Sequence, residues 1–301
     1  MARKRKGEKI DGWLLIDKPE GITSADVVRV VKRILKPQKI GHAGTLDPLA
    51  TGVLPIGMGE ATKTMPYIVD QSKDYEFSVK WGEATSTDDR EGHVTATSSH
   101  IPSNEEIEAI LPDFIGKIRQ VPPVYSAIKI DGKRAYDRAR SGEEVEMPSR
   151  EVDIETLKLI DSPQNGEVSS FFVRCGKGTY VRALGRDMAK KLGTEGHIVS
   201  LRRTRVGPFS EDSAILLDLL NDISHIPPAC GTILPVMTAL DDISALAISE
   251  DEAKLVRQGQ PILHTASKDG PIILTYSEQL IAIANVKDGH IHPKRVFNLT
   301  E

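Results

Sequence analysis

The sequence predicts an α+β fold: a mixed, mainly antiparallel sheet with a few helices, followed by a small β-rich unit. Three observations lead there. Strand patterns follow one another without a regular helix between them, which leaves few βαβ units. The strictest pattern, Tyr75 to Trp81, alternates apolar and polar residues at the period of a half-buried strand. A stretch containing Pro227, Pro228 and Pro235 sets the C-terminal β-rich residues apart from the rest.

Taken in order, Trp13 to Ile16 reads as a short buried strand stopped at Asp17-Lys18-Pro19. Ser24 to Leu35 reads as a helix with Thr23 or Ser24 as its N-cap and Val27, Val30, Val31 and Ile34 as its apolar stripe. Gly41 to Pro55, GHAGTLDPLATGVLP, sets glycines and prolines around one carboxylate, Asp47, and reads as a rigid loop. On the next strand Tyr75, Phe77, Val79 and Trp81 share a face. Ser103 and Glu106 form a capping-box signal for a helix through Leu111. Asp131-Gly132 reads as a hairpin turn, and Val152–Leu159 and Val168–Arg174 as strands. A helix from about Tyr180 to Leu192 turns Val181, Leu184, Met188 and Leu192 inward and sets Arg182, Arg186 and Lys190 on another face. Ile226 to Pro235 reads as a linker, dividing the chain into units 1–235 and 236–301. In the second, Ala245–Ile248 reads as a strand, Ser249 with Glu252 caps a helix to Gln258, and strands lie near Ile272–Thr275, Leu280–Val286 and Arg295–Asn298.

With 301 residues, 39% hydrophobic and 27% charged, the chain has an ordinary globular composition, which excludes disordered and fibrous classes. Cys175 and Cys230 have neither metal-ligand nor disulfide-scaffold spacing, so a reducing compartment is expected. The longest uncharged stretch, Ile223 to Leu240, is broken by prolines, and the basic start at Arg3, Lys4, Arg5, Lys6 and Lys9 has no apolar segment behind it. Neither a membrane span nor a secretory signal is therefore expected. The formal charge of −4 argues against a general polyanion binder, but its distribution is uneven. Nine basic residues face two acidic ones between Arg174 and Arg205, and nine acidic residues have no basic neighbour between Ser210 and Ala253. Such a basic segment is either a phosphate-facing surface or a solvated one.

By residue type alone Asp47 fits a turn cap as well as a reactive carboxylate. His42 with Asp47 makes at most two metal ligands, so a metal site is not expected. No GxxxxGK[ST] or GxGxxG string occurs, and nucleotide cofactors have no support. Tyr75 fits a core position, and Arg182 a phosphate contact, as well as they fit catalytic duty.

Six strings, in order, carry a resemblance that spans nearly the whole chain. They are DKPEGITS (Asp17–Ser24), GHAGTLDPLATGVLP (Gly41–Pro55), KDYEFSVKWGEATSTDDREG (Lys73–Gly92), VPPVYSAIKIDGKRAY (Val121–Tyr136), GTYVRALGRDMAKKLG (Gly178–Gly193) and LRRTRVGPF (Leu201–Phe209). The sequence resembles the TruB-type tRNA pseudouridine synthases. The resemblance implies a pseudouridine synthase fold with a PUA-like C-terminal domain. It also implies a cofactor-free and metal-free isomerase that converts uridine 55 in the T-loop of tRNA to pseudouridine after flipping the base out. Asp47 matches the family's essential aspartate, Arg182 the basic residue that pairs with it, and Tyr75 the tyrosine that stacks on the base and moves protons. Tyr180 and Leu201 match residues of the uracil pocket, and His42 a residue that fills space within the remodelled T-loop. Lys18, in the first string, is counted with the substrate-binding residues. Three routes stay open for Asp47: attack at C1′, addition at C6, or proton removal leading to a glycal. The basic residues of 174–205 and 129–140 are expected to track RNA phosphates, with a mobile insertion at Tyr136–Ser149. A cytoplasmic monomer is expected, acting on the tRNA T-arm without a guide RNA. A tRNA-folding module and an RNA-guided subunit are the alternatives.

Overall fold

The computed structural model describes residues 7–126, 129–130, 133–134, 138, 146–162, 166–220, 231–263 and 269–299. The Asp131-Gly132 turn, most of Tyr136–Ser149, the start of the linker and Cys230 fall outside these residues. The strands are β1 Gly12–Lys18, β2 Ile40–His42, β3 Thr51–Met58, β4 Lys73–Trp81, β5 Glu83–Thr85, β6 Val94–Thr97, β7 Gly116–Gln120, β8 Lys129–Ile130, β9 Lys133–Arg134, β10 Arg150–Asp161, β11 Val168–Cys175, β12 Gly196–Val206, β13 Phe209–Ser210, β14 Ile215–Leu216, β15 Ile233–Leu234, β16 Ala245–Ala247, β17 Ile262–Leu263, β18 Gly270–Tyr276, β19 Gln279–Lys287 and β20 His290–Val296. The α-helices are α1 Ser24–Leu35, α2 Met65–Asp70, α3 Asn104–Ile110, α4 Val181–Lys191 and α5 Glu250–Arg257.

The larger sheet runs β14-β1-β3-β12-β4-β11-β10-β7, with β2, β13 and β15 attached to β3, β12 and β1. Within it only the pairings of β1 with β14 and of β12 with β3 are parallel. The mixed, mainly antiparallel sheet predicted from the sequence is the one observed. α1 begins where expected: Thr23 caps it, accepting from the Asp26 amide, and Asp26 completes the box. α3 and α5 are boxed in the same way by Ser103/Glu106 and Ser249/Glu252.

The loop predicted for Gly41–Pro55 is shorter than its composition indicated. Its ends are strands β2 and β3, which pair antiparallel, and only residues 43–50 are irregular. Glycine lets β3 approach β12 here. Gly52 has φ +97°, and a Cβ on it would lie 2.2 Å from the Arg203 carbonyl oxygen, so no other residue fits that contact. β1 is buried on both faces because two layers cover it. Leu14 and Ile16 pack with α1 and the main core, whereas Trp13 and Leu15 pack with Val236, Leu240, Ile273 and Phe297. The linker predicted at Ile226–Pro235 is thus partly structural, since Ile233 and Leu234 form β15 on the edge of β1.

The C-terminal sheet runs β16-β18-β19-β20-β17 and forms the β-rich unit that the sequence predicted. One of its faces covers α5, and the other joins the Trp13 cluster. Lys63 reaches across to the Val296 carbonyl at 2.8 Å, and the Asn298 amide donates to Glu60 at 2.7 Å.

Candidate active site

Residues 43–50 are fixed from below by main-chain and side-chain bonds, which leaves Asp47 to project. Leu46, Leu49 and Ala50 are buried, and the Ser24 hydroxyl both accepts from the Leu46 amide at 2.8 Å and donates to its carbonyl at 3.0 Å. The Lys18 ammonium, fully buried, donates to the carbonyls of Pro19, Ile22 and Pro48 at 2.9, 2.8 and 3.1 Å. Burial pushes the Lys18 ammonium down to about 8. Lys18 therefore stands behind the loop and does not line the cleft, and its contacts are those of a clamp on the loop backbone. Arg203 holds the other side, donating to Val53 O at 2.9 Å and to Gly44 O at 3.1 Å.

Asp47 opens into a cleft of about 330 Å³ that also takes in Tyr75, Tyr180, Arg182, Leu201 and Arg203. Asp47 is the only carboxylate among the described lining residues, against the cations Lys73, Arg150, Lys177, Arg182 and Arg203. Its Oδ2 lies 2.9 Å from Arg182 Nη2. Arg182 is 4% exposed, so at this position the face away from the predicted apolar stripe is turned into the protein. The other nitrogen, Nη1, lies 3.4 Å from Asp89 Oδ2 and donates to Thr87 O at 3.0 Å, while Nη2 also donates to Tyr125 O at 3.0 Å. The result is a row of charges, Asp47, Arg182 and Asp89, in which the middle guanidinium is fixed from both sides.

Tyr75 comes from β4 and is 8% exposed. Burial pushes its hydroxyl pKa up, against the pull of the Arg203 charge, so the phenol stays protonated at neutral pH. Next to it, Asp74 receives Arg174 and Arg205 at 2.8–2.9 Å, locking β4 to β11 and β12. Burial works to raise the Asp74 carboxyl, but these hydrogen bonds outweigh it and hold it below its ordinary value. The Tyr180 backbone is gripped by buried Gln120, which accepts from its amide at 2.8 Å and donates to its carbonyl at 3.1 Å. The Arg150 guanidinium lies 4.8 Å from the Tyr180 ring centre. His42 ends β2, half-buried and outside the cleft lining, with its Nδ1 unpartnered. Burial, then Arg203, pushes the His42 pKa down and keeps the ring neutral.

Most cations of the basic stretch Arg174–Arg205 are paired with acids of the protein itself. Arg174 and Arg205 bind Asp74, Lys177 binds Asp70, Lys191 binds Asp113, and Arg202 binds Asp17 and Glu211. Arg186 is held by Asp88, Asp187 and the Val121 carbonyl. Apart from Asp187, the stretch's matching acids come from elsewhere in the chain, which a count within the segment cannot register. Sequence reasoning also left out Asp89, Gln120, Lys73 and Arg203. Asp89 and Arg203 lie inside the strings already singled out, where an acid beside Asp88 and a second arginine in LRRTR were the available signals.

Three family descriptions match the chain in succession: TruB family pseudouridylate synthase (N terminal domain) over residues 32–181, tRNA pseudouridylate synthase B C-terminal domain over 182–241, and Pseudouridine synthase II TruB, C-terminal over 244–297. A Caulobacter vibrioides protein named tRNA pseudouridine synthase B is 49% identical over 311 residues, covering all of both chains. The chain belongs to the TruB family. A protein of the same name from Bradyrhizobium diazoefficiens is 51% identical, over 99% of this chain and 91% of that one. A solved structure described as the crystal structure of a Cbf5-Nop10-Gar1 complex superposes with a TM-score of 0.73 at 25% identity, over 95% of this chain and 84% of that one. The TruB chain described here is thus an isomerase that makes pseudouridine, on the pseudouridine synthase fold. Among the described residues, no helix is long and apolar enough to cross a membrane, and no group of three or more His, Cys, Asp or Glu is placed to hold a metal ion.

Proposed function

We propose that this enzyme isomerises uridine 55 in the T-loop of tRNA, acting as a cytoplasmic monomer without guide RNA, metal or cofactor, with Asp47 as its catalytic carboxylate. The observation that carries this reading is the placement of Asp47. It is the sole described carboxylate of a cleft otherwise lined by cations, aromatic edges and Leu201, and it is oriented by Arg182. The cleft suits one base taken out of its stack, with Tyr75 and Leu201 as apolar walls and Tyr180 at the edge. Asp47 either takes the ribosyl carbon, adds to the ring, or removes a proton from the sugar, and Arg182 keeps the carboxylate aimed in each case.

The relatives named tRNA pseudouridine synthase B, matched over 100% and 91% of their lengths, support the tRNA assignment. A division into a catalytic unit, 1–235, and a PUA-like unit, 236–301, fits the separate second sheet, although the two share the Trp13 cluster. The test is incubation of the purified protein with an unmodified tRNA transcript and with an isolated T-arm hairpin, in EDTA, followed by mapping of pseudouridine. A single modified uridine in both is the expected result. Activity that appears only after a guide RNA or protein partner is added would replace this reading with the guided one.

A further inference from the structure

Among the described residues three cations of the cleft, Lys73, Arg150 and Arg203, form no ion pair, and Arg203 is the most deeply buried of them. Arg182 lies between Asp47 and Asp89, Lys177 is paired with Asp70, and the Lys73 ammonium is capped by the carbonyls of Val69 and Gln71. Arg203 is 1% exposed, lines the same cleft and forms no ion pair among the described residues. Among the described residues its guanidinium donates to the main-chain carbonyls of Val53 and Gly44. A guanidinium does not shed its proton inside a protein, and a buried, uncompensated positive charge is costly. Neutral donors would hold the same carbonyls without that cost, so the charge itself needs a use.

We propose that Arg203 stabilises the negative charge that develops on the uracil ring during isomerisation, in the cleft it lines beside Tyr75. The inference rests on the reading that uridine enters the cleft at Asp47. When the C1′–N1 bond breaks, its electron pair leaves with N1 and spreads to O2 and O4. The sugar is left as an ester of Asp47 at C1′, or as a glycal once C2′ has given its proton to the carboxylate. If Asp47 instead adds to C6, the displaced pair appears first as an enolate across C5, C4 and O4. In every route the base becomes anionic before C5 bonds to C1′ and Asp47 is released. The C5 proton then passes to N1, and any proton taken from C2′ returns, so the product is an isomer. A fixed cation in a site without bulk water stabilises such a charge far better than solvent does. Of the cleft's cations Arg182 and Lys177 already have carboxylate partners and Arg150 is only partly buried, and Arg203, at 1% exposed, is the most buried of those without an ion pair.

The test uses the full-length protein and its Arg203→Lys and Arg203→Gln variants in single-turnover reactions on T-arm hairpins carrying uridine or 5-fluorouridine. The rate is read as disappearance of the parent nucleoside, beside melting curves and hairpin affinity. Fluorine at C5 makes the departing base a better anion that needs less help. Arg203→Gln should lose roughly 100-fold on uridine, the size of effect found for a lost anion-stabilising donor, and recover at least about tenfold of that on 5-fluorouridine. Arg203→Lys should fall between. Equal losses on both substrates mean a structural clamp and overturn the proposal, as does an unchanged uridine rate. If neither variant folds, the unaltered protein decides: its affinity for a hairpin carrying 6-azauridine should rise, relative to uridine, as pH increases and that ring ionises. A flat or falling ratio overturns the proposal. Asp47→Asn is run in parallel, and turnover retained there removes the site reading itself rather than the role of Arg203.

Discussion

Replacing Asp89 with asparagine isolates the charge at the far end of the Asp47–Arg182–Asp89 row. Asp89 Oδ1 accepts from the Glu91 amide at 3.0 Å and from the Thr87 hydroxyl at 2.5 Å, and an asparagine oxygen keeps both bonds. Only Oδ2, 3.4 Å from Arg182 Nη1, changes character, becoming an amide nitrogen whose protons face those of the guanidinium. At an effective dielectric constant of 20 the lost attraction is on the order of 5 kcal/mol, and measured losses for one partner of a buried pair run at about 3–5 kcal/mol. Thr87 O and Tyr125 O still hold Arg182, so part of that is retained. A reduction of roughly 100-fold in the single-turnover rate, about 2.7 kcal/mol, is the expected result. Hairpin affinity should stay within about threefold, because Asp89 is 2% exposed and does not line the cleft. The assay is single-turnover kinetics beside filter binding. A rate within threefold of the unaltered enzyme, or a loss that appears wholly in affinity, refutes the claim that Asp89 acts by fixing Arg182.

Asp47→Asn should abolish isomerisation while RNA binding changes little, and turnover within about tenfold of the parent in a single-turnover assay contradicts its role. Arg186→Ala should lower stability by about 1–3 kcal/mol in urea melts, since three internal acceptors lose their donor, and should leave the salt dependence of RNA binding unchanged. Lys18 and Lys73, both held at about 8 when folded against 10.5 when free, bind fewer protons folded than unfolded between those pH values. Stability therefore gains a component that rises with pH across that window, by up to about 1.4 kcal/mol per pH unit for each lysine, and Lys73→Met should remove one share of the slope in denaturant titrations. A chain ending at Pro235 uncovers Trp13 and Leu15 by removing Val236, Leu240, Ile273 and Phe297, so light scattering should show association of the truncated protein.

Much of the fold was legible because its signals are local. A capping box is four residues long, and Thr23, Ser103 and Ser249 each start a helix at the position their boxes indicate. Alternation set Tyr75, Phe77, Val79 and Trp81 inward, and all four are buried. What stayed hidden depends on partners far apart in the chain. Arg182 looked like one member of a basic helix face because Asp47 and Asp89 reach it from elsewhere in the chain. The linker seemed free because the pairing of Ile233 and Leu234 with Trp13 and Leu14 joins the two ends of the sequence.

The same contrast bears on how residues 43–50 are held in place. Four side-chain fastenings of residues 43–50 come from four different elements: Ser24 from α1, Lys18 from β1, Arg203 from β12 and Arg182 from α4. Each fastening is a polar group buried against backbone or an opposite charge, where a missing partner costs more than a made bond yields. Shifting the loop would break several of these at once, so its position is fixed cooperatively by the packing of the whole sheet. Asp47 is the exception within the loop, with its side chain 34% exposed and one oxygen held by Arg182. A loop immobilised through its backbone and open at a single carboxylate places that reactive group with little freedom to lose when the base arrives.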